Sequence, residues 1–258
     1  MSSAISVDAC RSRWRSSTRT RVGEMRLLSA GQFESLIAGA KLLRADGFGP
    51  KVYEATDGRI VKLFRIKRWW SSSMFYPYSL RFRHNSRRMR RRGYPCITVD
   101  DIFYCHAIRR HGVIYRKLEG RPLDRLLCSK DATAHRVYVE YAVLLARLHA
   151  DRIYFRSVHP GNVLLMADGS YGLIDVGDMR FPLLPLSIDQ RRRNFRHLLR
   201  SIEFREALKY HRGDNFIDAY LAAARLPAAS RQALRGRLVG DFDRARKIRD
   251  LPHPSRLE

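Results

Sequence analysis

Acidic side chains are scarce in this chain: 25 Asp and Glu stand against 50 Lys and Arg among 258 residues, a formal charge of +25 at pH 7. Lysine is scarce too, with 8 against 42 arginines. Cysteine is limited to Cys10, Cys96, Cys105 and Cys128. None form a CxxC pair and no histidine sits at metal-ligand spacing, which argues against a structural zinc site. The N-terminus lacks the apolar stretch of an export signal, so the cysteines read as reduced thiols and the chain is expected in the cytoplasm. No run approaches the ~18 apolar residues of a membrane-spanning helix. No internal repeat is visible, which argues against solenoids and propellers.

What remains is enough for a folded chain. Apolar residues make up 45%, and the length allows one large domain or a two-lobed one. The positive field favours polyanions: nucleic acid, anionic lipid, phosphorylated sugars or nucleotides. An Arg-rich composition that merely solvates the surface produces the same excess, so charge alone does not specify the ligand. A nucleic-acid module would add a zinc finger or an aromatic RNP strand. Neither is found, so nucleic acid is not the expected partner.

Residues 1–24, rich in Ser, Thr and Arg, read as a flexible basic tail, with a transit peptide as the other reading. Helical spacing of Phe33, Leu36, Ile37 and Ala40 predicts a helix over 27–43, with Ser29 as its N-cap but no acid three residues on. Val52-Tyr53 and Ile60–Phe64 read as strands around an Asp57-Gly58 turn. Residues 69–92 start irregular and become a basic helix carrying seven arginines between 81 and 92. Two strands follow, over 97–106 and 112–118, and then EGRPL as a turn. Val137, Tyr141, Leu144, Leu145 and Leu148 mark an amphipathic helix. Strands over 162–166 and 171–175 are joined by an Asp168-Gly169 turn, and helices are expected over 188–210, 214–225 and 228–248. Strands first and helices later predict an α+β chain.

Phosphoryl transfer needs a lysine on the phosphates, oxygen donors for magnesium and a carboxylate for the acceptor hydroxyl. The run FRSVHPGNVLL followed by GLIDVGD resembles the catalytic loop and metal-binding turn of protein kinases, aminoglycoside phosphotransferases and, most closely, the lipopolysaccharide core (Kdo and heptose) kinases. Asn162 matches the magnesium-ligating asparagine, and Asp175 matches the metal-binding aspartate of the DFG-type turn. Thirteen positions separate them, room for a strand, a turn and a strand back to one site. Alone, each residue also fits a plain turn. Lys62, in IVKLF, matches the phosphate-anchoring strand lysine, or is an ordinary edge-strand lysine. Gly47 and Gly49 resemble a degenerate nucleotide-covering loop, and equally a β-turn. IYRKLEGRPL resembles the hinge whose backbone, here Arg116, Lys117 and Leu118, faces adenine. Asp189 matches the acid buried beneath the catalytic loop, or complements a helix N-terminus.

The resemblance covers roughly residues 45–200. It implies a two-lobed protein-kinase-like fold, with a β-rich N-lobe over 25–118 and a helical C-lobe over 119–258. It also implies ATP and Mg2+ as cofactors and an anionic glycolipid of the lipopolysaccharide core as substrate. Catalysis at the cytoplasmic side of the inner membrane follows, with the basic tail and helix against an anionic glycolipid or lipid surface.

Two positions depart from the family pattern. Ser157 stands where the catalytic aspartate belongs, and a hydroxyl does not take a proton at neutral pH as a carboxylate does. His159 and Asp178 are the candidate substitutes; failing both, the chain is a catalytically impaired pseudokinase that binds nucleotide or a partner. The basic helix also has no acid from Tyr76 to Arg92 to pair Lys62, leaving Glu54 across the hairpin as a candidate. A bacterial group resembling the core kinases carries both the RFRHN and YFRS runs, which would make Ser157 a feature of that group.

Overall fold

The computed structural model describes residues 21–22, 25–65 and 77–247. Most of the expected basic tail and the irregular start at 69–76 lie outside the described residues. The chain divides into two compact units, Met1–Leu80 with Val99–Arg116, and Arg81–Thr98 with Lys117–Glu258. The first is rich in strands and the second in helices, the α+β class expected from the sequence.

Among the described residues of the first unit, β1 (Arg21–Val22), β2 (Met25–Leu28), helix α1 (Ala30–Ile37), β3 (Lys41–Asp46), β4 (Gly49–Glu54) and β5 (Arg59–Arg65) come in order. The helix expected over 27–43 is therefore only its middle part. Ser29 follows β2 and caps α1 with a complete capping box: its Oγ accepts from Gln32 N at 3.3 Å, and Gln32 Oε1 accepts from Ser29 N at 3.0 Å. A glutamine thus does what was sought from an acid. Beyond Ile37 the chain turns at Gly39, whose φ of +69° suits glycine, and Leu42 and Leu43 continue as an exposed edge strand.

Helix α2 (Tyr78–Arg91) follows, then β6 (Val99–Cys105) and β7 (Arg110–Arg116). The strands form one sheet in the order β1-β2-β6-β7-β5-β4-β3. Phe33 and Leu36 of α1 pack on Val61, Leu63, Phe103, Cys105 and Ile114. Strand alternation places Ile60, Lys62 and Phe64 on the other face, all buried. At Gly112 a β-carbon would stand 2.1 Å from the Phe103 ring, so only glycine lets that ring seal the core.

The second unit continues with β8 (Arg121–Pro122), α3 (Leu123–Leu126), α4 (Ala132–Ala150), β9 (Tyr154–Phe155), β10 (Val163–Leu165), β11 (Tyr171–Leu173), β12 (Met179–Arg180), α5 (Ile188–Leu199), α6 (Ile202–Ala207), α7 (Gly213–Ala223) and α8 (Ala228–Lys247). The EGRPL segment is thus more than a turn, because β8 pairs with β10. The helix expected over 188–210 breaks after Leu199, where the Ser201 side chain accepts from Phe204 N and caps α6. Tyr138 and Tyr141 of α4 meet Phe204 and Phe216, and Phe195 meets Phe216, Tyr220 and Phe242, an aromatic core shared by five helices. Burying such rings is the largest apolar contribution available to a helical unit. Among the described residues no helix is long and apolar enough to cross a membrane.

Candidate active site

Two pairings bring the loop 156–162 beside the turn 174–178. On one side, Phe155 pairs with Met179 and Tyr154 with Arg180. On the other, Val163 pairs with Leu173, and Ile174 N donates to Asn162 O at 3.0 Å. The thirteen positions between Asn162 and Asp175 are the length of this hairpin, folded at the Asp168-Gly169 turn, where Gly169 has a φ of +80°.

Inside this frame Ser157 Oγ donates to Asp178 Oδ2 at 2.5 Å. Burial pushes the Asp178 carboxyl above the usual carboxylate range; the charge of Asp175 adds to this and the Ser157 hydrogen bond opposes it. Its other oxygen, Oδ1, is buried and has no hydrogen-bond partner among the described residues. His159 contributes backbone bonds: its N–H donates to Ser157 O and its C=O accepts from Asn162 N, both at 2.9 Å. The His159 ring lies against Gly161, where an added β-carbon would stand 3.4 Å from Nδ1 and 3.3 Å from the Asp124 carboxylate. Asp178 is the candidate substitute that accepts the Ser157 hydroxyl.

Asn162 is buried, and its Nδ2 donates to Ser157 O at 3.0 Å. A carbonyl only accepts, so this bond fixes the amide and turns Oδ1 to the opposite side. Asp175 is half-buried in a left-handed conformation, φ +57° and ψ +44°. That region costs most residues about 1–2 kcal/mol, less for Asp, and such backbone recurs at functional sites.

The asparagine of the RFRHN run, which the resemblance assigns no role, holds this turn. Asn85 of α2 donates through Nδ2 to Val176 O at 2.8 Å and Met179 O at 3.2 Å, and more distantly to Gly177 O. Phe82, Asn85, Ser86 and Met89 form the buried face of an otherwise arginine-covered helix. A lone asparagine at core spacing in RFRHNSRRM was the available signal. Asn85→Ala leaves these carbonyls without their donor, a loss of about 1–3 kcal/mol. Thermal melting reads that loss.

Asp189 is a correction. It is exposed and pairs with Arg237 at 2.7 Å, so it is not buried beneath the loop. Asn194, five residues further along α5, holds that place: its Nδ2 donates to Phe155 O at 2.7 Å. Its Oδ1 lies 2.8 Å from His149 Nε2, His149 Nδ1 lies 2.8 Å from the Tyr220 hydroxyl, and Arg191 donates to that hydroxyl at 2.9 Å. The register of a helix cap set Asp189 at the start of α5, where Ser187 and Gln190 complete the capping box and the side chain faces outward.

The other expected residues lie in the first unit or at its exit. Gly47 belongs to the short turn between β3 and β4, with Phe48 N bonded to Asp46 Oδ1 at 3.0 Å. Gly49 begins β4 with a φ of +102°. Lys62 is buried in β5, opposite Val52, and Glu54 shares its sheet face two residues along. Arg116 ends β7, and the chain passes into the second unit at Lys117. Leu118 packs on β11, where a β-carbon at Gly172 would meet it at 2.7 Å.

No family model matches this chain, and no curated protein matches its sequence. A solved structure to which it is similar is that of the bifunctional kinase-methyltransferase WbdD, at 16% identity and a TM-score of 0.42. The alignment covers 73% of this chain and 42% of that one, so the chain spans less than half the length of that protein.

Proposed function

We propose that the chain is an ATP-dependent phosphotransferase acting on a sugar hydroxyl of the lipopolysaccharide core, at the cytoplasmic side of the inner membrane. The observation that carries the reading is the Ser157–Asp178 hydrogen bond. A hydroxyl where the family keeps a carboxylate is a weak base alone. A hydroxyl whose proton is already directed at a carboxylate is a relay. The acceptor O–H gives its proton to Ser157 Oγ as the Ser157 proton passes to Asp178 Oδ2. The acceptor oxygen bonds the γ-phosphorus, the bond to the leaving ADP oxygen breaks, and Asp178 later releases its proton to water. Burial supports this role, because a carboxyl held above its ordinary range is a stronger base near neutral pH.

The donor set fits magnesium. Asn162 Oδ1 and the Asp175 carboxylate are hard oxygen ligands, and Mg2+ commonly takes one or two protein donors and completes its shell with phosphate and water. When bound, it would neutralise charge on the phosphates. Lys62, Gly47, Gly49 and the backbone of Arg116, Lys117 and Leu118 are assigned to the nucleotide on the family resemblance.

The test is transfer of labelled γ-phosphate from ATP to extracted core oligosaccharide. Label is expected on the sugar and is abolished in Asp175→Ala. The second reading, a non-catalytic nucleotide binder, is favoured by the missing aspartate at Ser157. It expects magnesium nucleotide to raise the melting temperature with no label on any core acceptor, and that pair of results would replace the proposal.

A further inference from the structure

After β12 the chain enters a loop, 181–187, with neither helix nor strand. Its tip carries Leu183 and Leu184, which are 87% and 77% exposed. Single exposed leucines are ordinary on a protein surface; an adjacent pair on a fastened loop is not. The fastening is specific. Phe181 lies under the guanidinium groups of Arg88 and Arg92, at 4.2 and 5.2 Å from the ring centre. Arg152 donates to Leu183 O at 2.6 Å. Leu186 is buried behind the tip, with its carbonyl held by Arg191. Pro182 and Pro185 further restrict the backbone. The leucines are therefore held outward by a base of arginines, extended by the exposed Arg87, Arg91 and Arg180. Asp151 at this base accepts from the Tyr94 hydroxyl at 2.5 Å.

We infer that this loop is a membrane-docking surface, which inserts Leu183 and Leu184 among the acyl chains of an anionic bilayer while the surrounding arginines meet the phosphate headgroups. An apolar tip ringed by cations is complementary to that surface in both chemistry and depth. A free phosphate has no use for the leucines, and a second copy would bring the same positive face against itself. The inference deepens the proposed function by naming where the chain meets the lipid layer. It rests on that reading for the acceptor alone, because vesicle binding is read without nucleotide.

The full chain is tested by co-sedimentation with vesicles of phosphatidylethanolamine containing about one third phosphatidylglycerol. Binding is expected there, and little on phosphatidylcholine alone. Leu183→Asp with Leu184→Asp weakens it at least about tenfold, with the melting temperature and transfer to water-soluble core oligosaccharide unchanged. Arg87→Glu with Arg91→Glu weakens it about tenfold and reduces its salt dependence. Undiminished binding of the leucine variant, or equal binding to phosphatidylcholine, would overturn the inference. So would a dimer abolished by the leucine changes, which would put a second copy on the tip. Vesicle binding that behaves as expected, in a chain that labels no acceptor, supports the surface and removes only the phosphotransferase reading.

Discussion

Asp178→Asn is expected to lower phosphate transfer by about two to four orders of magnitude, the usual contribution of a positioned base, with no fall in melting temperature. Asparagine keeps an oxygen to accept the Ser157 hydroxyl, so the 2.5 Å contact has a neutral replacement of the same shape. What the variant cannot do is take the proton. Removing a half-buried carboxylate beside Asp175 also relieves repulsion between like charges. Ser157→Ala interrupts the relay from the other end and belongs in the same range. The discriminating variant combines Asp178→Asn with Ser157→Asp, which puts a carboxylate where the kinases whose catalytic loop this segment resembles keep theirs. Recovery of at least about tenfold over Asp178→Asn alone is expected. Full activity in Asp178→Asn would remove the relay, and a loss with no recovery would make the Asp178 carboxylate necessary for something other than proton transfer.

The second large effect is on stability. Asn194→Leu is expected to cost about 2–6 kcal/mol, because it strands two buried groups, Phe155 O and the His149 Nε2–H, at about 1–3 kcal/mol each. The hydrogen bonds have one consistent direction. Asn194 must donate to Phe155 O, so its oxygen accepts from His149 Nε2, and His149 Nδ1 is left to accept from Tyr220, which in turn accepts from Arg191. Only neutral imidazole completes this chain. Burial, with the charge of Arg191 added and the Asn194 bond opposing, pushes the His149 pKa down to about 3. In the unfolded chain it returns to its ordinary value of 6.5. Between these values the unfolded state binds the extra proton, so stability is complete above the unfolded value and falls as pH drops through the window. The slope is at most about 1.4 kcal/mol per pH unit, or about 2 kcal/mol between pH 7 and 5. Urea denaturation at the two pH values measures it. Subtracting a His149→Gln variant isolates this residue from His111, His197 and His211, which burial also pushes down.

These two clusters show what kind of information each level carries. The Asn162 and Asp175 spacing was legible because hairpin geometry depends on a turn and a few flanking residues. The same holds for the Asp57-Gly58 turn and the 3.6 period of α4. The helix over 27–43 was overextended because Leu42 and Leu43 are apolar without being buried, and periodicity does not distinguish an edge strand's leucines from a helix face. Asp189 carries the charge that the motif leads one to expect beneath the loop, yet the loop is held by the neutral amide of Asn194.

The sequence by itself determined the α+β class, the loop and turn that carry Asn162 and Asp175, and the exceptional serine at 157, since all of these are written in residues close along the chain. Only the tertiary structure decided what stands beside Ser157, what holds the Asp175 turn and what lies beneath the loop. Those partners, Asp178, Asn85 and Asn194, are 21, 91 and 39 residues from the groups they bind. At such separations a hydrogen bond leaves no local pattern. It exists because folding has already buried both ends, and a buried polar group must find its partner wherever the chain has placed one.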